Sequence, residues 1–382
     1  MSDCITHVGL DAHKKDHKVA MYLPGSDVPL EAVVPNTLRD VERWVRQAQK
    51  KAPGEIVVAY EAGVCGFALQ RQIERAGVRC IVIAPSLIPI KPGQRVQTDR
   101  RDAAALGRLL RSGMLTEVHP PNVQQEAARD LCRCREAAMR DLGRVRHQVL
   151  KFLLRRGMSF NEGVHWTHKH MAWLGSLALE DPMDRDVFAE YLGELEHRQE
   201  RLARLDRSLE RLAQSTDYKE KVGWLRCFQG IDTVTALSVL VELYAFARFA
   251  SPRELMSYLG LTPSESSSGA TVRKGGITKA GNSRVRRLLI ESAWQAPRRA
   301  TASKALQVRR RDQPAWVIEI AKRSQQRLYQ RYWRLVQCGK MPVKAATAVA
   351  REMVGFLWSV LREPRPGAAE GSGAPRPRPP DA

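Results

Sequence analysis

The chain has 382 residues, enough for two or three domains. Hydrophobic residues make up 43% and charged residues 27%, which supports a buried core and excludes a wholly disordered chain. Lys and Arg number 62 against 41 Asp and Glu, a formal charge of +21, so the first partner to expect is a polyanion. No apolar run reaches the length of a membrane span, and the acidic start MSDCITHVGLDAHKKD does not read as a signal peptide. The seven Cys are scattered with no CxxC pair, which argues against a thiolate zinc site and for reduced thiols in a cytoplasmic setting.

The first third alternates strand and helix signals. ITHVGLDA is a short apolar run ending at Asp11, HKVAMYLP is a second strand closed by Pro24-Gly25, and LEAVVP is a third. LRDVERWVRQAQKKA has helical spacing, with Val41, Trp44 and Val45 on one face. EIVVAYEAG reads as a buried strand ending at Glu61, GFALQRQIERAG as a helix closed by Gly77, and VRCIVIAP as another strand. Antiparallel strands followed by β-α-β predict a mixed α/β sheet. TDRRDAAALGRLLRSG is then a helix with Ala104, Leu106, Leu109 and Leu110 as its apolar positions and Gly113 as its stop.

After Pro120-Pro121 the chain turns helical. One long helix runs to about residue 156 and a second spans about 186–214. The second carries Leu195, Leu202 and Leu209 in one heptad series and Leu205 and Leu212 in the other, which predicts a coiled-coil hairpin. Between them NEGVHWTHKHMAWLG reads as a polar connector. Its His165, His168 and His170 do not have the spacing of common helical zinc pairs. GWLRCFQGIDTVTALSVLVEL predicts helix, turn at 230–232, helix, and PRELMSYLGL a further short helix. TPSESSSGATVRKGGITKAGN reads as a loop. Helices resume at SRVRRLLIESAWQA and continue to Leu361, and the Pro/Gly/Ala-rich tail is expected to be disordered. The expected divisions are 1–118, a helical coiled-coil region over 119–218, a mainly helical region over 219–362 and the tail at 363–382.

Four acids draw attention. Asp11 and Glu61 end strands, and neighbouring strand ends in one sheet bring carboxylates together. Asp99 and Asp102 lie three apart at a helix start and share a face. Hard oxygen ligands of this kind hold Mg²⁺ or Mn²⁺, and two such ions about 4 Å apart can act on a phosphodiester. Asp99 equally suits a helix N-cap, and Asp102 the positive end of the helix dipole. Downstream, Ser266, Ser267 and Ser268 precede Gly269, with Arg273, Lys274, Lys279, Arg284, Arg286 and Arg287 close behind. A Ser hydroxyl can attack a phosphodiester where cations stabilise the pentavalent phosphate. On composition alone the favoured reading is a flexible Ser/Gly loop whose basic residues touch phosphate non-specifically.

Together these segments resemble one family, the DEDD-type transposases of the insertion-sequence 110 family, related to pilin-gene invertases. GLDAHK surrounds Asp11, YEAG surrounds Glu61, and TDRRDA holds Asp99 and Asp102. GLTPSESSSG, GGITKAGN, GIDTVTALSVLVEL and RFASPRELMSYLGL follow in order. The resemblance covers about residues 5 to 361. It implies a resolvase-like ribonuclease-H fold with Mg²⁺ (or Mn²⁺) on Asp11, Glu61, Asp99 and Asp102, and a C-terminal transposase domain with a nucleophilic Ser. The Ser directly before Gly269 is Ser268, with Ser267 as the alternative. It further implies donor and target DNA as substrates, a structured element-encoded guide (bridge) RNA, and homodimers that join into homotetramers. Arg100, Arg101, Lys274, Lys279 and Arg284 are the candidate nucleic-acid contacts. The chain departs from the family at Gln97, where members usually carry Lys. The competing readings are a resolvase-type nuclease that uses metal without a Ser nucleophile, and a basic nucleic-acid-binding protein with no enzymatic activity.

Overall fold

The computed structural model describes residues 4–63, 65–85, 88–89, 99–268, 271–299 and 301–362. At 99, 100, 266–268, 271, 272 and 274 it describes backbone only. The expected disordered tail therefore lies outside the described residues, as does Gln97. Two compact units divide at Asn122.

The first unit holds β1 (Thr6–Ala12), β2 (Asp16–Tyr22), β3 (Leu30–Pro35), α1 (Leu38–Lys51), β4 (Ile56–Glu61), α2 (Ala68–Arg75), β5 (Arg79–Ile83), α3 (Asp99–Arg111) and β6 (Glu117–Val118). The sheet order is β3-β2-β1-β4-β5-β6. β1 pairs antiparallel with β2 and parallel with β4, and β4 pairs parallel with β5. The mixed sheet expected from the strand signals is present. The two-residue β6 is an addition, too short to leave a periodic signal.

Alternation along the strands assigns the two faces. Val8, Leu10, Val58 and Tyr60 join Val41, Trp44 and Val45 of α1 and Leu69 and Ile73 of α2 in one core. The opposite face carries Ala59, Ile81 and Ile83, which pack on Leu106 of α3, and Ala20 and Tyr22, which pack on Ala103. Both faces are covered, which explains why these strands read as continuous apolar runs. The anticipated apolar stripe on α3 is shifted: the fully buried positions are Ala103, Leu106 and Gly107, while Ala104, Leu109 and Leu110 are half-buried. Small residues win because the helix sits almost against the backbone of β1. A Cβ on Gly9 would strike the Ala103 carbonyl and the Gly107 backbone, and one on Gly107 would lie 2.8 Å from Tyr22 Cε2.

The second unit is helical apart from one hairpin. It runs α4 (Val123–Leu154), α5 (His168–Ser176), α6 (Pro182–Ala213), α7 (Lys219–Arg226), α8 (Thr233–Leu243), α9 (Pro252–Tyr258), β7 (Pro263–Ser268), β8 (Thr271–Ile277), α10 (Ser283–Ala293), α11 (Lys304–Arg310), α12 (Ala315–Gln337) and α13 (Pro342–Leu361). α4 and α6 lie antiparallel, as the ion pairs Arg135–Asp206, Arg201–Asp141 and Arg156–Asp184 show by their register. Leu195 and Leu209 of the heptad series are buried, and Leu202, Leu205 and Leu212 half-buried. Ala128 and Cys132 of α4 and Leu209 and Ala213 of α6 share a core with the C-terminal helices, so packing is continuous across residue 219.

Three expectations change here. α6 starts at Pro182 rather than near 186, because Asp181 caps it and Pro182 fills the first turn. The histidine-rich connector contains α5, capped by Thr167 and anchored by fully buried His170 among Phe160, Trp166 and Trp173. The Ser-rich loop is an antiparallel hairpin with Ser268 opposite Thr271. Polar residues hid it, because a two-stranded ribbon exposed on both faces has no apolar alternation to read. All seven cysteines are free thiols. No helix among the described residues is long and apolar enough to cross a membrane.

Candidate functional site

Asp11 and Glu61 come together through the sheet. Leu10 pairs with Tyr60 in the parallel β1–β4 register, so the next residues on each strand are Asp11 and Glu61. Alternation turns both away from the Leu10 and Tyr60 face, towards the α3 side. The glycine contact sets α3 against that side, and Asp102 immediately precedes Ala103, the residue that meets Gly9. Electrostatics report the same gathering. The Glu61 side chain keeps access to solvent, yet its carboxyl is pushed above the ordinary carboxylate range, first by partial loss of hydration, then by the charges of Asp11 and Asp102. Asp99 starts α3 one turn before Asp102, and its side chain lies outside the described residues. Among the described residues no three His, Cys, Asp or Glu side chains form a ready metal cage. The donor set nevertheless suits a hard divalent cation: three carboxylates whose mutual repulsion a cation would cancel.

His13 is a neighbour that sequence reasoning missed. Its Nε2 lies 3.0 Å from Asp11 Oδ2. The signal was available, since residues two apart at a strand end fall on one side.

The serine hairpin belongs to the second unit and is held at its base. Gly260 (φ 62°), Lys279 (φ 56°) and Gly281 (φ 62°) adopt left-handed backbone. A Cβ on Gly281 would strike the Tyr258 carbonyl. Lys279 N–H donates to Gly260 O at 3.1 Å and Thr278 N–H to Thr262 O at 2.9 Å. Arg286 then clasps both feet, donating from Nη1 to Leu259 O at 2.8 Å and to Ala280 O at 2.7 Å. Ser266, Ser267 and Ser268 lie on β7, and their side chains are outside the described residues.

Behind the hairpin, Asn282 caps α10, accepting from the N–H groups of Arg284 and Val285. Its Nδ2 donates to Glu242 Oε2 at 2.9 Å. Glu242 also takes Arg133 at both oxygens, 2.7 and 2.9 Å, with its own side chain only 4% exposed. Burial pushes this carboxyl up, but the hydrogen bonds from Arg133 and Asn282 win and hold it below its ordinary value. Of the basic candidates, Arg101 and Lys279 are exposed, while the side chains of Arg100 and Lys274 are outside the described residues. Arg284 is not free: it pairs with Glu136 of α4.

Comparison with known proteins covers both sites. A model described as Transposase, of the DEDD type in IS110 elements, matches residues 8–156. A second, described as Transposase IS116/IS110/IS902 family, matches residues 224–307. The y4qE protein of Sinorhizobium fredii, which carries a transposase name, is 38% identical over 360 residues, 94% of this chain and 89% of its own. The transposase for insertion sequence element IS1533 of Leptospira borgpetersenii is 33% identical over 334 residues, 86% of this chain and 96% of its own. The chain belongs to the IS110 family of insertion-sequence transposases.

Proposed function

We propose that the chain cuts and rejoins DNA strands through a phosphoserine intermediate. Ser268 attacks a backbone phosphorus, a Ser Oγ–P bond forms, and the P–O bond to one strand breaks, its sugar oxygen taking up a proton. Attack by a hydroxyl of the incoming strand reverses the step and reseals the DNA. The bond energy is conserved in the phosphoserine, so no nucleotide cofactor is required. Asp11, Glu61, Asp99 and Asp102 would hold the divalent cation, Mg²⁺ or Mn²⁺. Such a cation, when bound, would polarise the phosphate and stabilise developing charge. Arg101 and Lys279 would contact backbone phosphates.

What carries this reading is the meeting of Asp11, Glu61 and Asp102 within a chain whose relatives bear transposase names over most of its length. The sheet order supports a resolvase-like ribonuclease-H reading of the first unit. The family resemblance and the charge of +21 add an element-encoded guide RNA, a dimer-to-tetramer assembly and a cytoplasmic setting to the proposal.

The test is a denaturing gel of wild type, Ser268→Ala and Asp99→Ala with Mg²⁺, labelled junction DNA and RNA from the element's flanks. A protein–DNA adduct in wild type only is the expected result. An adduct that persists in Ser268→Ala moves the nucleophile to Ser267 or Ser266. Hydrolysed DNA with no adduct in any lane hands the case to a metal-only nuclease.

A further inference from the structure

The helix that follows the serine hairpin, α10, carries Arg284 and Arg287 one turn apart. A single carboxylate holds both. Glu136 Oε2 accepts from Arg284 Nη1, and Glu136 Oε1 accepts from Arg287 Nη2 at 2.9 Å. The three side chains are 36%, 45% and 25% exposed in the order Arg284, Arg287, Glu136, so the cluster lies at the surface. Glu291 takes the other side of Arg287 at 2.8 Å. The start of α10 does not depend on Glu136, because Asn282 caps it and Glu242 and Arg133 hold Asn282 from beneath.

A carboxylate that offers one oxygen to each of two guanidinium groups imitates a phosphodiester, whose two anionic oxygens do the same. Solvent-accessible ion pairs such as these, with Arg287 exposed and Glu136 and Arg284 half-buried, contribute little to stability, so stability alone does not account for an acid here. The displaced charge also has somewhere to go. Arg140 is exposed and follows Glu136 by four residues on α4, the spacing of a helical ion pair.

We propose that Arg284 and Arg287 form a binding site for one backbone phosphate of DNA, and that Glu136 fills it in the free protein as a resident anion which the phosphate displaces. The inference rests on the reading that the chain acts on DNA. Binding is then an exchange of anions, and removing Glu136 makes the site permanently available.

The experiment is an anisotropy titration of the full-length protein against a fluorescein-labelled random-sequence duplex, without divalent metal, over a series of NaCl concentrations. The variants are Glu136→Gln, the double Arg284→Ala/Arg287→Ala, the triple that combines them, and Glu196→Gln, an exposed acid on α6, as a control. Circular dichroism melts verify that each folds. Glu136→Gln is expected to bind about three- to tenfold more tightly, with a salt slope steeper by about one. The gain is expected to vanish in the triple variant and to be absent in Glu196→Gln. Unchanged affinity in Glu136→Gln overturns the proposal, as does a gain that survives loss of the arginines or that Glu196→Gln reproduces. A gain seen only with single-stranded RNA of the same sequence overturns the assignment to DNA. Wild type that binds no duplex removes the DNA reading and the site with it, whereas binding wild type with an indifferent Glu136→Gln removes the site alone.

Discussion

Glu61 and Glu242 show how the two units treat a carboxylate. Glu61 ends β4 in the first unit, and its carboxyl is pushed up, first by loss of hydration and then by the charges of Asp11 and Asp102. Glu242 lies in α8 of the second unit, more deeply buried, yet its carboxyl is held low because Arg133 and Asn282 donate to it. Burial acts in the same direction on both; the neighbours decide the outcome. Like charges gathered at one place raise one another's affinity for protons, as Asp11 and Asp102 do for Glu61. A carboxylate whose oxygens are all satisfied belongs to the scaffold. The acids of the first unit thus stand in mutual repulsion, the feature on which the proposed cation site rests, and Glu242 is placed to hold the capped start of α10 behind the serine hairpin.

Breaking the satisfied site gives the largest expected effect. Glu242→Ala strands Arg133 and leaves Asn282 Nδ2 without its acceptor. The loss of a buried pair typically costs 3–5 kcal/mol, reduced here to about 3 kcal/mol because Arg133 is 38% exposed. Urea unfolding of the second unit checks it, and a change under about 1 kcal/mol would contradict the assignment. Next comes the contact that sets α3 on the sheet. Gly9→Ala forces helix and strand apart and is expected to cost about 2–3 kcal/mol. It should also weaken Mn²⁺ binding, read by calorimetry, since Asp102 moves with α3.

The contrast sharpens with Glu61→Gln, which removes one of the repelling charges. Glu61 is exposed, so solvent screening limits the metal-free gain to about 0.5 kcal/mol. Added Mg²⁺ should raise the melting temperature of wild type and leave Glu61→Gln unmoved. A variant that loses stability without metal would show that Glu61 is compensated after all. The smallest effect concerns pH. His170 is pushed below its ordinary value of 6.5, first by burial and then by His165, so its neutral form is favoured in the folded state. Its contribution is fully present above pH 6.5 and is lost as pH falls through the lowered folded value. The drop in melting temperature of the second unit between pH 7.5 and 5.5 should shrink in His170→Phe.

Much of this was legible in the amino-acid string because it is local. Apolar runs and periodicity placed β1 to β5, α1, and the helix–turn–helix at 230–232, where Asp232 caps α8 with its side chain. Asp11 and Glu61 were readable as strand-end acids, since the runs they close are short and apolar on both faces. The hairpin was not readable, because its strands are polar on both sides and held by left-handed backbone and the Arg286 clasp at their base.

Long-range partners were invisible for a different reason. Nothing in ALGRL marks Gly107 as the residue that meets Gly9 almost a hundred positions away, and nothing on α4 marks Glu136 as the acid that answers α10. Sequence determines which residues are small, charged or apolar and how they repeat along an element. Which charge stands beside which is decided only when sheet register and helix packing close the distances, because Coulomb and contact energies depend on separation in space rather than along the chain. Arg284 illustrates the division: its sequence marks it as a cation, and the fold alone shows that the cation is already answered.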